Sequence, residues 1–391
     1  MKVIIKPNRE KPIIQNHPWI FSGAIQRIEG NPDDGDIVDI YGNSGEFLAK
    51  GYINQKSQIT VRILTKDKNE KIDKNFFHRR ILNAINYRKN ILDLNSFDAY
   101  RIIHDSADLL PGLIVDKYGD YLVIQILTLG IEIRKNMILE TLMDLFYPKG
   151  IYERSDSNIR QKEGLLPYTG LVFGQKLPEM LEIKQNGISM LVDIMNGQKT
   201  GTFLDQRENI RESALYSKYR DVLDCFCYTG SFSVHSAIGG AKTVIGIDMS
   251  AKALETARKN TEINNVSNIC KFIQEDVFDY LDNCDRKFDM IILDPPGFAK
   301  HDRAIEKASR AYKHINMKAM ELLNQDGILM TFSCSHHIDP LLFRKIVFSA
   351  SVDAECNIQI IRILHASPDH PINIAHPEGE YLKGLICRKI P

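Results

Sequence analysis

Between residues 186 and 391, apolar runs of five to seven residues recur at 221–225, 243–247, 269–274, 288–293, 327–333, 358–364 and 381–387, and helical stretches fall between the first six. Short buried strands alternating with helices predict a βαβ series, hence a mostly parallel sheet with helices on both faces. Four of these runs finish on or near an acid: Asp224 in DVLDC, Asp248 in VIGID, Asp276 in FIQED and Asp294 in MIILD. They stand 24, 28 and 18 residues apart, each the length of one crossover helix with its loops. In an open parallel sheet the ligand lies outside the carboxyl ends of the strands. A single aspartate there reads as a cap or a turn residue. Four on one edge repel one another unless a polar, partly cationic ligand compensates.

The first loop, DCFCYTGSFS (224–233), opens a helix as a dinucleotide-binding loop would. It has one glycine, Gly230, and so lacks the G-x-G-x-x-G that lets backbone approach a pyrophosphate. An acid at the first strand end also disfavours phosphate. S-adenosylmethionine fits better: it has no phosphate, it carries an ammonium and a sulfonium, and its ribose diol needs an acceptor. The expected roles are Asp224 and the loop backbone at the methionine end, Asp248 at the ribose hydroxyls and Asp276 at the adenine amine.

The rest of the chain divides in two. Residues 1–72 read as short strands punctuated by Gly35, Gly42-Asn43, Gly45 and Gly51, a small all-β unit. The charged stretch TKDKNEKIDKN (65–75) leads into residues 73–185, where a helix near 76–92, a hairpin turning at Tyr118-Gly119-Asp120, a helix near 131–146 and the strand GIYERSD predict an α+β module. Lys plus Arg is 50 and Asp plus Glu is 50, so any nucleic-acid surface must be local. No run approaches the ~20 apolar residues of a membrane span. The start, MKVIIKPNREKP, has no apolar core or cleavage site, so export is not expected. Seven scattered cysteines in 391 residues argue against a disulfide framework and for a reducing, cytoplasmic setting.

One cysteine stands apart. The run Ile328–Phe332 predicts a buried strand that stops at Ser333-Cys334-Ser335-His336-His337. The preceding strand ends in DPPGFAK (294–300), whose prolines stiffen the loop behind Asp294. Neighbouring strands lie about 4.8 Å apart, so Asp294 and Cys334 are expected to converge. A thiolate beside a carboxyl group suits methylation of a pyrimidine at C5: addition of sulfur to C6 makes C5 nucleophilic, and Asp294 handles the proton at N3. Asp339 and Pro340 read as the cap and first residue of a following helix, whose N-terminus favours thiolate, as do His336 and His337. Cys-x-His-His on one turn is poor metal geometry, so no metal is expected.

Together GQKTGTFLDQREN (197–209), DCFCYTGSFS, DPPGFAK and SCSHH resemble the bacterial PUA-domain 23S ribosomal RNA cytosine-C5 methyltransferases. HPWIFSGAI (17–25) and RIIHDSADLLPGLIVDKYGDYLVIQ (101–125) extend the likeness over nearly the whole chain. The resemblance implies a class I, Rossmann-like α/β methyltransferase domain behind an RNA-binding PUA domain, S-adenosylmethionine as donor and Cys334 as nucleophile. It assigns Asp224, Phe226, Thr229, Gly230, Asp248, Asp276 and Asp294 to cofactor or catalytic positions. Many wider RNA cytosine-C5 enzymes carry a cysteine after the prolines, where this chain has Gly297.

Asp205 and Glu208 stand at capping-box spacing, and Gln206 and Arg207 are expected to reach the cofactor and RNA respectively. Lys300, Arg303, Lys307 and Arg310 form a basic stretch suited to phosphate, with Arg303, Lys307 and Arg310 on one helical face. Trp19, the sole tryptophan, is either core or a stacking platform for a base. RNA, as ribosomal RNA or an assembly intermediate, is the expected partner, and the sequence leaves monomer and homodimer open. Two further readings compete: methylation of an exocyclic amine or guanine N7 without a cysteine, and a non-catalytic RNA-binding assembly factor.

Overall fold

The computed structural model describes residues 1–299 and 302–391. Among these residues the strands form four sheets, and the chain gathers into two compact units.

The first unit comprises Met1–Leu181, Asp193–Thr202 and Pro368–Gly379. A six-stranded sheet runs Trp19–Phe21, Ile59–Thr65, Phe47–Ile53, Ile37–Tyr41, Lys2–Ile5 and Ile25–Glu29 in spatial order. Period-two alternation buries Val38 and Ile40 with Val3, Ile5, Ala49 and Val61 in one core. A five-stranded sheet follows, in the order Tyr168–Gly174, Gly150–Ser155, Tyr121–Ile126, Leu113–Tyr118 and Ala99–His104. Tyr118 pairs with Tyr121, so the expected hairpin turns on two residues, Gly119 and Asp120, with Tyr118 still in the ladder. The helix Lys74–Ile91 and the helix Lys135–Phe146 bury Phe77, Ile81, Ile138 and Leu142 against this sheet. The two sheets are bolted together by polar side chains. Tyr52 Oη donates to the Pro111 carbonyl at 2.7 Å, and Arg62 pairs with Glu163 at 2.8 Å with both side chains buried.

The second unit comprises Glu182–Val192, Phe203–Ser367 and Glu380–Pro391. Its sheet has seven strands: β1 (Asp221–Cys225), β2 (Thr243–Asp248), β3 (Cys270–Gln274), β4 (Phe288–Leu293), β5 (Leu323–Ser333), β6 (Asn357–His365) and β7 (Lys383–Ile390). Their spatial order is β3-β2-β1-β4-β5-β7-β6, with β7 antiparallel to both neighbours and the first five parallel. The central strands are buried on both faces, which explains their unbroken apolar runs: Met290, Ile291, Ile292 and Leu293 in β4 have no exposure. Strand order reverses at β1, so the switch point, where such sheets bind ligands, lies between β1 and β4. A hairpin, Leu181–Gln185 with Ile188–Val192, turns on Asn186 and Gly187, both at positive φ as a type I′ turn requires.

Candidate functional site

Register aligns the functional residues. Cys225, Ile247, Leu293 and Thr331 share one row across β2, β1, β4 and β5. The next row therefore holds Phe226 between Asp248 and Asp294, just outside the paired strands. Asp224 lies one row back, and this accounts for its complete burial. Cys334 is the residue immediately after β5 ends.

The loop after β1 has an unusual backbone. Phe226 and Tyr228 adopt left-handed φ of 63° and 48°, and Gly230 follows at 79°. Left-handed geometry at a non-glycine residue costs roughly 1–2 kcal/mol, so the surroundings must enforce it. Asp248 does so: its Oδ2 accepts the Tyr228 N–H at 2.9 Å and its Oδ1 the Ser250 N–H at 2.8 Å. Cys227 N donates to the Ile247 carbonyl at 3.0 Å, and Asn260 Nδ2 donates to the buried Thr229 carbonyl at 2.9 Å. A Cβ at Gly230 would sit 3.0 Å from the Ala257 Cβ, so the third positive φ and the tight packing both select glycine.

Asp224 takes a 2.6 Å hydrogen bond from Ser233 Oγ on its Oδ2. Its Oδ1 is buried with no hydrogen-bond partner. Burial pushes this carboxyl up to about 7, opposed by the Ser233 bond and reinforced by Asp294 and Asp248. Asp294 and Asp248 thus stand close enough for their charge to act on Asp224, which also holds an unsatisfied acceptor. This fits the ammonium and sulfonium of S-adenosylmethionine and disfavours a phosphate.

Asp276 has the capping role expected of a lone aspartate at a strand end. It caps the helix Val277–Asn283, its Oδ1 accepting from Phe278 N at 2.8 Å and Asp279 N at 3.3 Å. Its strand ends two residues earlier, at Gln274.

On the other side of the switch point, Gln206 Nε2 donates to Asp294 Oδ1 at 2.9 Å. Asn209 Nδ2 in turn donates to Gln206 Oε1 at 2.6 Å and to the His365 carbonyl at 3.0 Å. Gln206 thus orients Asp294. Cys334 Sγ lies 3.8 Å from the carbonyl of Pro295, the residue after Asp294, so the sulfur sits against the loop that Asp294 begins. Cys334 is half-buried, whereas Cys225, Cys227 and Cys387 are buried. Gly297 faces it: a Cβ there would be 3.6 Å from Sγ. Ser335 Oγ clamps loop to strand, accepting Ala299 N at 3.1 Å and lying 3.0 Å from Tyr312 Oη. Asp339 caps the helix Pro340–Asp353 through Leu342 N at 2.8 Å, with Pro340 at its first position.

Other expectations need correction. Arg207 has no exposed surface and accepts an Asn186 side-chain bond on its carbonyl, so its side chain is part of the interior and not an RNA contact. Asp205 does not cap the helix Arg207–Tyr216; Tyr381 Oη donates to its Oδ2 at 2.6 Å instead. Arg303 lies in the turn Asp302–Ala304, ahead of the helix Ile305–Leu322 that carries Lys307 and Arg310. All three are exposed, and Arg310 pairs with Glu306. Lys300 lies outside the described residues. Trp19 is half-buried at a sheet edge, its ring 4.3 Å from the His376 ring, and does not belong to the apolar core of its sheet. No group of three or more metal-ligating side chains occurs among the described residues, and no helix there is long and apolar enough to cross a membrane.

Sequence reasoning passed over Asn209, Ser233, Tyr312 and Lys383. Only Lys383 left a signal, as a lone cation in the apolar run YLKGLIC.

Residues 3–66 match the PUA-like domain family, and residues 170–380 match the S-adenosylmethionine-dependent methyltransferase family. Two relatives called ribosomal RNA large subunit methyltransferase I are similar over nearly the full length. The Aeromonas hydrophila protein is 44% identical over 99% of this chain and 98% of its own. The Aeromonas salmonicida protein is 45% identical, also over 99% and 98%. Among solved structures, a Streptococcus mutans protein assigned to the SAM-dependent methyltransferases superposes with a TM-score of 0.85 at 22% identity, covering 99% of this chain and 100% of that one. A further structure assigned as a methyltransferase and complexed with SAH reaches 0.87 at 22% identity, with the same coverage.

Proposed function

Because this chain belongs to the S-adenosylmethionine-dependent methyltransferases, in the family of the ribosomal RNA large subunit methyltransferases I, we propose that it methylates C5 of a cytosine in large-subunit ribosomal RNA through a covalent adduct of Cys334. One observation carries the choice of atom: a half-exposed thiol stands 3.8 Å from the backbone that follows Asp294. Methylation of an exocyclic amine or of guanine N7 has no use for that sulfur.

The residues divide the work. Asp248 and the left-handed loop at Phe226–Gly230 hold the ribose side, and Asp224 supplies negative charge behind the methionine end. Asp276 is left with one carboxylate oxygen for the adenine amine. When bound, S-adenosylmethionine supplies an electrophilic methyl group on a sulfonium. Cys334 thiolate bonds to C6 of the base, and the C5–C6 π pair moves onto C5 while N3 takes a proton from Asp294. Once C5 carries the methyl group, a solvent base takes the C5 proton, the C–H pair re-forms the C5–C6 double bond, the S–C6 bond breaks and Cys334 leaves as thiolate. Asp294, fixed by Gln206, recovers the N3 proton. RNA is held at the exposed Arg303, Lys307 and Arg310 and at the PUA-like domain, where Trp19 offers a ring edge. The setting is the reducing cytoplasm, where a reactive thiol survives.

RNA bearing 5-fluorocytosine traps this chemistry, because the C5 substituent cannot leave as a proton. Incubation with labelled cofactor is expected to give a protein–RNA adduct that disappears in Cys334→Ala. Methyl transfer that persists in Cys334→Ala would refute the adduct.

A further inference from the structure

Lys383 opens β7, the last strand, and is only 3% exposed. A lysine so buried is costly unless its charge is used. No carboxylate pairs with it among the described residues. Its ammonium donates to the Ser335 carbonyl at 2.7 Å and the Tyr381 carbonyl at 2.8 Å. Ammonium has three donors, so one remains. Register sets where it stands: Lys383 is the ladder partner of Ser333, and its side chain reaches Ser335. The cation therefore brackets Cys334 from both sides in sequence.

We propose that Lys383 is a positioning residue that holds Cys334 as a thiolate, an ion pair built into the β5–β7 ladder. The role in methyl transfer rests on the Cys334 reading above; the ion pair itself does not. Thiolates need such help here, since Asp294 lies one loop away and opposes a thiolate whenever it is ionised. Carbonyls solvate the ammonium without neutralising it, which leaves its full charge for the sulfur. Burial brings Lys383 down to about 8, and Cys334 is the first of the groups pulling it back up, ahead of Glu380 and Asp339. Among the described residues, the other titratable neighbours are Tyr312, which is raised by burial and feels the Cys334 charge, and His336 and His337 on the same turn.

Alkylation tests this without RNA or cofactor. The rate of iodoacetamide modification at Cys334 is followed by peptide mass spectrometry from pH 5.5 to 9.5, which separates it from the half-buried Cys270, Cys284 and Cys356. In the wild type the rate should reach half-maximum well below the ~8.5 of a free thiol. Lys383→Met should raise the midpoint by about one unit and cut the rate at pH 7 about tenfold. Lys383→Arg keeps the charge and should hold the midpoint low. A wild-type midpoint at or above ~8.5 overturns the proposal and needs no variant. So does an unchanged profile in a folded Lys383→Met, or an arginine that behaves as methionine does. The adduct reading fails separately, if Cys334→Ala still methylates RNA.

Discussion

The two halves of the sheet edge in the second unit are built by different means. Around β1 and β2 the site is backbone: left-handed residues, amide hydrogens and one carboxylate, Asp248, that latches two of them. Around β4 and β5 it is side chain: Asn209 orients Gln206, Gln206 orients Asp294, and Ser335 and Tyr312 pin the strand end that presents Cys334. The first kind of site recognises a fixed molecule by shape and charge. The second, on the proposed reading, keeps one carboxyl group and one sulfur in a set relation while the base between them changes bonding. A cofactor half made of backbone tolerates many side chains; a reacting half made of side chains tolerates few.

Substitutions can separate the halves. Cys334→Ala should show the largest effect, lowering methyl transfer at least about a thousandfold while calorimetric cofactor affinity stays put. Loss of cofactor binding in that variant would break the division. Asp248→Ala removes the acceptor of the Tyr228 amide in the loop and that of the Ser250 amide after β2. Taking ~2 kcal/mol for a bond to a charged group, cofactor affinity should fall about 30-fold, with Cys334 alkylation unmoved. Unchanged affinity would remove Asp248 from the cofactor half.

A pH series sharpens the same side. Asp224 sits at about 7 in the folded protein, well above its unfolded value. A cation binds the ionised form, so cofactor affinity should drop about tenfold from pH 8 to pH 6, and Asp224→Asn should bind weakly with no such slope. The sign for stability is opposite. The folded state binds the extra proton between the unfolded value and about 7, so this group makes the cofactor-free protein less stable as pH rises through that window. Melting curves of Asp224→Asn should lack that decline. Smaller still, Arg303→Glu with Lys307→Glu should weaken RNA several-fold and reduce the salt slope by roughly one unit per lost contact, as read by filter binding at several salt concentrations. Asp339→Ala should lower unfolding free energy by only about 1 kcal/mol in urea titrations, since Asp339 caps a helix.

These contrasts also explain what was legible in the sequence. Strands of the parallel sheet read directly because burial on both faces leaves an apolar run, and acids at their ends mark the ligand edge. Cys334 was legible because it breaks such a run at its finish. The cofactor loop was legible only in part: Gly230 announces a turn, but nothing in Phe226 or Tyr228 announces positive φ, which the Asp248 latch imposes from another strand. Arg207 misled because a charged residue near a motif reads as exposed, and its burial depends on segments far off in sequence. Asp276 shows the limit of edge logic, since capping and ligand binding ask for the same residue at the same place. Lys383 escaped because its meaning lies across an antiparallel ladder some fifty residues from its partner.

The path of the chain has its own consequence. The first unit is completed by Pro368–Gly379, an excursion between β6 and β7 that brings Asp369 to Arg88 and Arg101. A ribosome making this chain therefore releases more than nine-tenths of it before the amino-terminal unit has its last buried acceptor. Cutting between residues 185 and 186 would not yield two self-sufficient pieces: one fragment would lose the Asp369 acceptors of an Arg88 guanidinium N–H and of the buried Arg101 backbone N–H, the other would keep a loop with nothing to fill. Synthesis order and final assembly are at odds in this protein, and its amino-terminal unit is finished only by residues close to the end of the chain.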